Sequence, residues 1–327
     1  MRGSRIIGTG RYCPERVLTN FDLEKMVETT DEWIVSRSGV RERRIAAPEE
    51  AASDLALAAS RLALESAGCA PEELDGIILG TVTGDMMFPA TSCLVQDRLG
   101  AKKAAAFDLN AACSGFIFGV ATAHAFISSG RMDKVLVIGV EVLSKITNWK
   151  DRSTCVLFGD GAGAAVLEAC EPGEGILATY MKSDGSLAEL LHLPAGGSRK
   201  PATAETIARG DHFIKMKGDG VFKYAVRAME DAALHALAEA NLTVDDVDVL
   251  VPHQANIRII DAVQARLKIP AHKVVVNLDR FGNTSSATIP MAFDEAVRSG
   301  RVKKGDVVLL VAFGGGLTWG AVLFRYM

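Results

Sequence analysis

The sequence predicts an α/β protein built from two duplicated βαβ-rich halves, and two observations carry that expectation. Short apolar runs that read as strands alternate with helical stretches along the chain, the pattern of parallel central strands covered by helices. Three pairs of segments also recur at a near-constant distance: AGCAPEELDGIIL (67–79) resembles ANLTVDDVDVLV (240–251), 173 residues on, Lys103 and Lys273 each precede an apolar strand 170 apart, and SSGR (128–131) matches RSGR (298–301), also 170 apart. Each pair is weak alone, but a shared offset is hard to produce by chance. The halves, 1–174 and 175–327 with a boundary in the turn-rich stretch 172–175, are expected to pack through right-handed crossovers into one layered body with its active centre where they meet.

In chain order, 104–109 (AAAFDL) is short, bounded and apolar apart from Asp108, and reads as a buried strand. A turn follows at 110–112, then Cys113, then a stretch from 114 to 126 with small and apolar residues on all faces, the mark of a central helix. A thiol at the mouth of that helix would face unpaired N–H groups and the positive end of the helix dipole, both of which favour thiolate. The alternative is a small core residue, the commonest role of a free cysteine. The glycines of 158–163 lack phosphate-loop spacing and read as a tight hairpin entering a strand at 164–168. His253 follows the apolar strand 247–251 and so emerges at the strand's carboxyl end, where α/β sheets bind ligands. Adding the offset of 170 to Cys113 gives Asn283, expected at the start of the counterpart helix. Alone, His253 could be a capping residue and Asn283 a turn residue. The loop 313–320 also arrives at the ligand edge, where its glycines could offer N–H groups to a reacting carbonyl or form a flexible turn.

A chain of 327 residues can bury a substantial core, and 49% hydrophobic with 23% charged residues is a globular composition. A net charge of −4 argues against a general nucleic-acid binder. No apolar signal segment follows the N-terminal basic residues, and the run around Cys113 is interrupted by Asp108, Asn110 and His124, which disfavours a membrane span. A cytoplasmic protein is expected. The six cysteines form no CxxC pair and no zinc spacing, so free thiols and no metal are expected.

Seven segments then carry a resemblance. GTGRYCPERVLTN near the start, TTDEWIVSRSGVRERRI (29–45), AACSGF (111–116), LFGDGAGA (157–164), VPHQANIRI (251–259), LDRFGNTSSATIP (278–290) and AFGGGLTWG (312–320) together resemble the β-ketoacyl-acyl-carrier-protein synthase III family. The resemblance implies a thiolase-like fold, a layered αβαβα body. It also implies an initiating condensing enzyme of fatty-acid synthesis, joining a short acyl-CoA to malonyl-acyl carrier protein with loss of carbon dioxide. CoA thioester is then a substrate and no cofactor is required. Cys113 would carry the acyl group, the N–H groups of Cys113 and Gly315 would form the oxyanion hole, His253 and Asn283 would donate to the malonyl thioester oxygen, and Phe313 would shield the thiol. The glycine loop carries no second cysteine, as a degradative thiolase would, and Asn283 stands where elongating synthases have histidine.

The resemblance also assigns Trp33 and Arg152 to the adenine of CoA, with Arg37, Gly218 and Asn256 lining its channel. Gln254, Ala255, Asn256, Ile257 and Arg258, with Lys223 and Arg266, would meet the acidic carrier protein. Taken singly, Trp33 could be an ordinary half-buried aromatic and the basic residues solvated charges. Phe88 would reach from a partner subunit to close the acyl pocket, implying acetyl-sized starters and a homodimer whose sheets join edge to edge. Two rival readings are an acyltransferase or condensing enzyme of secondary metabolism with another acceptor, and an idle scaffold that binds CoA or a carrier protein.

Overall fold

Two mixed sheets organise the protein, which a computed structural model describes over residues 2–327. The first holds β1 (Gly3–Tyr12), β2 (Gly76–Gly80), β3 (Ala105–Leu109), β4 (Lys134–Val142) and β5 (Asp160–Cys170) in the order β1-β5-β4-β2-β3. The second holds β6 (Ile176–Ser183), β7 (Val249–Pro252), β8 (Val307–Gly314) and β9 (Thr318–Arg325) in the order β7-β8-β9-β6. Parallel pairing is confined to β3-β2-β4 and β7-β8, and the remaining neighbours run antiparallel.

Helices α1 (Ala52–Ala67) and α2 (Thr91–Leu99) cover the outside of the first sheet, and α4 (Gly218–Glu239) and α5 (Ile257–Leu267) the outside of the second. Between the sheets lie α3 (Gly115–Ser128) and α6 (Thr288–Arg298). Their position follows from their side chains. Phe116, Ile117, Val120, Ala123 and Ile127 of α3 are all buried, and Ile289, Ala292 and Phe293 of α6 join them in one apolar layer. The αβαβα arrangement predicted from the resemblance is thus present.

Three sequence expectations change. The run 104–109 is not a buried strand: β3 is the open edge of its sheet, with Ala105 exposed and 106–109 half-buried, because it has a hydrogen-bonding partner on one side only. An apolar run signals a covered face and says nothing about whether the strand has a second neighbour. The glycines of 158–163 form no hairpin, since β5 already starts at Asp160. They serve close approach instead: a Cβ on Gly161 would meet Met291 Sδ at 2.7 Å, and one on Gly163 would meet Met291 N at 2.7 Å, so α6 packs directly on the strand.

The third change concerns the repeat. The short 3-10 turns Ala112–Ser114 and Ser285–Ala287 open α3 and α6, with left-handed φ of 46° at Ala112 and 49° at Ser285. These positions are 173 apart, as are the starts of β2 and β7 and of β4 and β8. The counterpart of Cys113 is therefore Ser286, not Asn283, whose own counterpart is Asn110. Helix α3 is three residues longer than α6, which is why the match of 128–131 with 298–301, at their ends, gave 170.

Candidate active site

The 3-10 turn after β3 brings Cys113 into a cavity of about 510 Å³ whose walls also carry His253, Asn283 and Phe313. The second sheet and its loops supply those three. His253 follows β7, its N–H donates to Val311 O at 2.8 Å, and its Nδ1 lies 2.7 Å from Thr288 Oγ1 at the first turn of α6. Asn283 reaches the cavity by another route than repeat symmetry. Its N–H donates to Leu157 O at 2.8 Å and its carbonyl accepts from Gly159 N at 3.1 Å, so the segment leading into β5 holds it in place.

Donor counting settles what these side chains can offer. Asn283 Oδ1 accepts from Ser285 N at 2.8 Å, which leaves Nδ2 as the group free to donate to a ligand. The Thr288 hydroxyl donates its hydrogen to Ser285 O at 3.0 Å, so the His253–Thr288 bond takes its hydrogen from Nδ1, and Nε2 keeps its lone pair. Burial pushes His253 down to about 3, so the ring is neutral.

The thiol departs from its expected state. Burial pushes Cys113 up to about 11, and the buried carboxylate of Glu141 pushes the same way. The Ser285 hydroxyl and the N–H groups of Cys113 and Gly315 all pull it down, but by less than lost hydration pushes it up. A helix mouth alone therefore does not make an anionic thiol here. The glycine loop behaves as its composition suggests: a Cβ on Gly314 would sit 2.6 Å from Cys113 N, so glycine is what lets the loop bring Gly315 N–H to the sulfur. Phe313 is buried against the same space.

At the cavity's mouth stand Trp33, Arg37, Gly218, Asn256 and Arg258. The Arg152 guanidinium lies 4.8 Å from the centre of the Trp33 ring and that of Arg37 5.8 Å away. Arg152 thus rests on the Trp33 face, and the adenine expected between the two would have to part them. Asn256 caps α5 by accepting from Arg258 N at 2.9 Å, while its Nδ2 donates to Arg37 O at 3.0 Å. Lys223, Arg258 and Arg266 are exposed, although Arg266 is paired with Glu230. Ala255 and Ile257 are half-buried. Gln254 has to be withdrawn from the carrier surface: it is 1% exposed, and its amide is spent on Pro252 O, Val275 O and Asn277 N. Its place in the HQANIR segment suggested contact, but the first residues after β7 still lie inside the fold. Phe88 is 84% exposed beside Met86 and Met87 and lines no part of this chain's own cavity.

Sequence reasoning missed Glu141, Ser285 and Thr288. The first had a signal, an acid inside the apolar strand KVLVIGVEVL. The other two lay unremarked within FGNTSSATIP.

Comparison with known proteins covers the chain. The 3-oxoacyl-[acyl-carrier-protein] synthase III family model matches residues 107–185, and the model of that family's C-terminal part matches 237–326. A β-ketoacyl-[acyl-carrier-protein] synthase III of Desulfitobacterium hafniense is 60% identical over 98% of this chain and 97% of its own length. One from Xanthomonas campestris is 53% identical over 99% and 98%. The crystal structure of 3-oxoacyl-[acyl-carrier-protein] synthase III from Aquifex aeolicus superposes with a TM-score of 0.92 at 52% identity, covering 99% of this chain and all of that one. A priming β-ketosynthase from the R1128 polyketide pathway superposes at 0.91 with 38% identity, over 99% and 97%.

Proposed function

The chain belongs to the β-ketoacyl-[acyl-carrier-protein] synthase III family and is an acyltransferase, the condensing enzyme that initiates fatty-acid synthesis; from that premise we propose that it joins acetyl-CoA to malonyl-acyl carrier protein through an acyl group held on Cys113. The observation that supports this reading most is the convergence of Cys113, His253 and Asn283 on one cavity although they come from three separate loops.

In the first half-reaction Sγ attacks the thioester carbonyl, the Sγ–C bond forms and the bond to CoA sulfur breaks. The N–H groups of Cys113 and Gly315, which face the sulfur, hold the oxyanion in this reading. The thiol proton passes to the lone pair of His253 Nε2 as the sulfur attacks and goes on to the departing CoA sulfur, so a ring that resists becoming cationic need hold it only in passing. In the second half-reaction Asn283 Nδ2 donates to the malonyl thioester oxygen. His253, still neutral, donates beside it once its proton has exchanged through solvent from Nδ1 to Nε2, a form that Thr288 supports by turning its hydroxyl from Ser285 O to Nδ1. Loss of carbon dioxide leaves an enolate held by these two donors, its carbon attacks the acyl-Cys113 carbonyl, and the freed thiolate regains a proton from solvent. Phe313 keeps water from the thioester meanwhile.

Mass spectrometry after exposure to acetyl-CoA tests this. Acetyl should appear on Cys113 and be discharged by malonyl-acyl carrier protein. Discharge only by an alcohol or an amine would assign a different acceptor, and no acylation would assign a scaffold.

The proposal extends to a homodimer. The apolar edge strand β3 is paired on one side only, by β2, and the exposed Met86, Met87 and Phe88 have nothing in this chain to cover them. Joining two β3 edges would continue the sheet and carry Phe88 toward the partner's cavity, where its bulk restricts the starter to acetyl size. Phe88→Ala should then shift preference toward longer acyl-CoA, and a monomer with full activity in sedimentation would exclude the arrangement. Among the described residues no helix is long and apolar enough to cross a membrane, and cytoplasmic residence is proposed with the free thiols.

A further inference from the structure

Behind the cavity lies a carboxylate that the chemistry above does not use. Glu141, at the end of β4, is fully buried. Its oxygens accept from Thr83 Oγ1 at 2.6 Å and Val82 N at 3.1 Å in the loop after β2, and from the hydroxyls of Ser285 and Ser286, each at 3.1 Å, in the turn before α6. It therefore clamps together loops from the two halves directly behind the thiol.

Ser285 is where the clamp meets the reactive groups. Its N–H fixes Asn283 Oδ1 at 2.8 Å, and its carbonyl accepts from Thr288 Oγ1, which in turn holds His253 Nδ1. Its hydroxyl lies beside Cys113 and donates to Glu141. One residue, held at a left-handed φ of 49°, thus touches or steers all three. We propose that Ser285 is the positioning residue of this site, tying Cys113, His253 and Asn283 to one another and to the anchoring carboxylate of Glu141.

Two opposed influences on the thiol follow from this arrangement. The Ser285 hydroxyl supports the thiolate when its hydrogen turns from Glu141 to the sulfur, while the Glu141 charge opposes it. His253 is neutral, and Arg37, Asp219 and Arg258 line the outer cavity. Asp160, on the neighbouring strand β5, is turned to Ala46 N and Ser144. The groups that hydrogen-bond to Glu141 itself carry no charge.

The inference rests on the roles proposed above, but its first test needs no substrate. The pH dependence of iodoacetamide alkylation of Cys113 is measured in the full-length protein. Ser285→Ala should move the profile up by about one pH unit and Glu141→Gln should move it down by a similar amount. A role limited to holding the fold would move both variants the same way. Thr288→Val, which cuts the His253 arm alone, should leave the alkylation profile in place while slowing condensation from pre-acetylated enzyme roughly tenfold, and Thr288→Ser should restore it. Opposite shifts support the inference. Shifts of one sign, or none in variants that melt cooperatively, overturn it. If Ser285→Ala fails to fold, an unmoved or raised profile in Glu141→Gln has the same force. Failure of wild-type protein to acetylate would remove the catalytic reading and leave this result standing.

Discussion

The turns before α3 and α6 share a backbone and differ in chemistry. Both have a left-handed first residue, one 3-10 turn and a helix buried between the sheets. In the first turn Cys113 faces the cavity. At the equivalent place in the second, the Ser286 hydroxyl is turned inward, donating to Gly80 O at 2.9 Å and to Glu141. Duplication supplied two identical frames. On the proposed reading one carries the nucleophile, and the other is the brace that holds it.

The comparison can be broken most sharply by exchanging the roles. Cys113→Ala should lower condensation by at least roughly a thousandfold, as loss of a covalent nucleophile does, with folding preserved; retained acyl transfer would deny the turn its chemistry.

The brace has a pH signature. Burial raises Glu141 from 4.5 to about 7, so the folded protein binds its proton more tightly than the unfolded chain. Its contribution to stability is then complete below pH 4.5 and lost as pH rises through 7, a change of about 3 kcal/mol. His253, lowered from 6.5 to about 3, acts oppositely, its contribution being complete above pH 6.5 and lost as pH falls. Urea unfolding of wild type and Glu141→Gln at pH 4.5 and 7.5 isolates the first slope, and equal slopes would show that Glu141 does not titrate in this range.

Close packing of the second turn on the first sheet is tested by Gly139→Ala. The added Cβ would meet Ser286 O at 2.3 Å, a backbone atom that cannot swing aside, and should destabilise by about 1–3 kcal/mol in denaturant melts. Smallest of all, Ser286→Ala should cost about 1 kcal/mol in the same melts and leave acetylation of Cys113 intact. A loss of acetylation there would mean that the two turns are not divided into nucleophile and brace.

Much of the site was legible along the chain because its parts lie at predictable places in βαβ units. Cys113 follows a strand and opens an apolar helix, and His253 follows a strand. Asn283 was reached through an offset three residues wrong for that turn, yet it does share the cavity, because the loop before β5 in the other half holds its backbone. The edge position of β3 and the burial of Gln254 were not legible, since a strand's second neighbour and the depth of a loop are set by other segments.

By itself the sequence determined the duplicated halves, the alternation of strand and helix, and which residues could be nucleophile and donors, for these depend on spacing and side-chain type. Only the tertiary structure decided that Ser286 is the counterpart of Cys113, that the thiol rests protonated, and that Glu141 and Ser285 join the site. Those outcomes arise from lost hydration and from contacts across more than a hundred residues of chain, and both are properties of the enclosed space rather than of any segment that borders it.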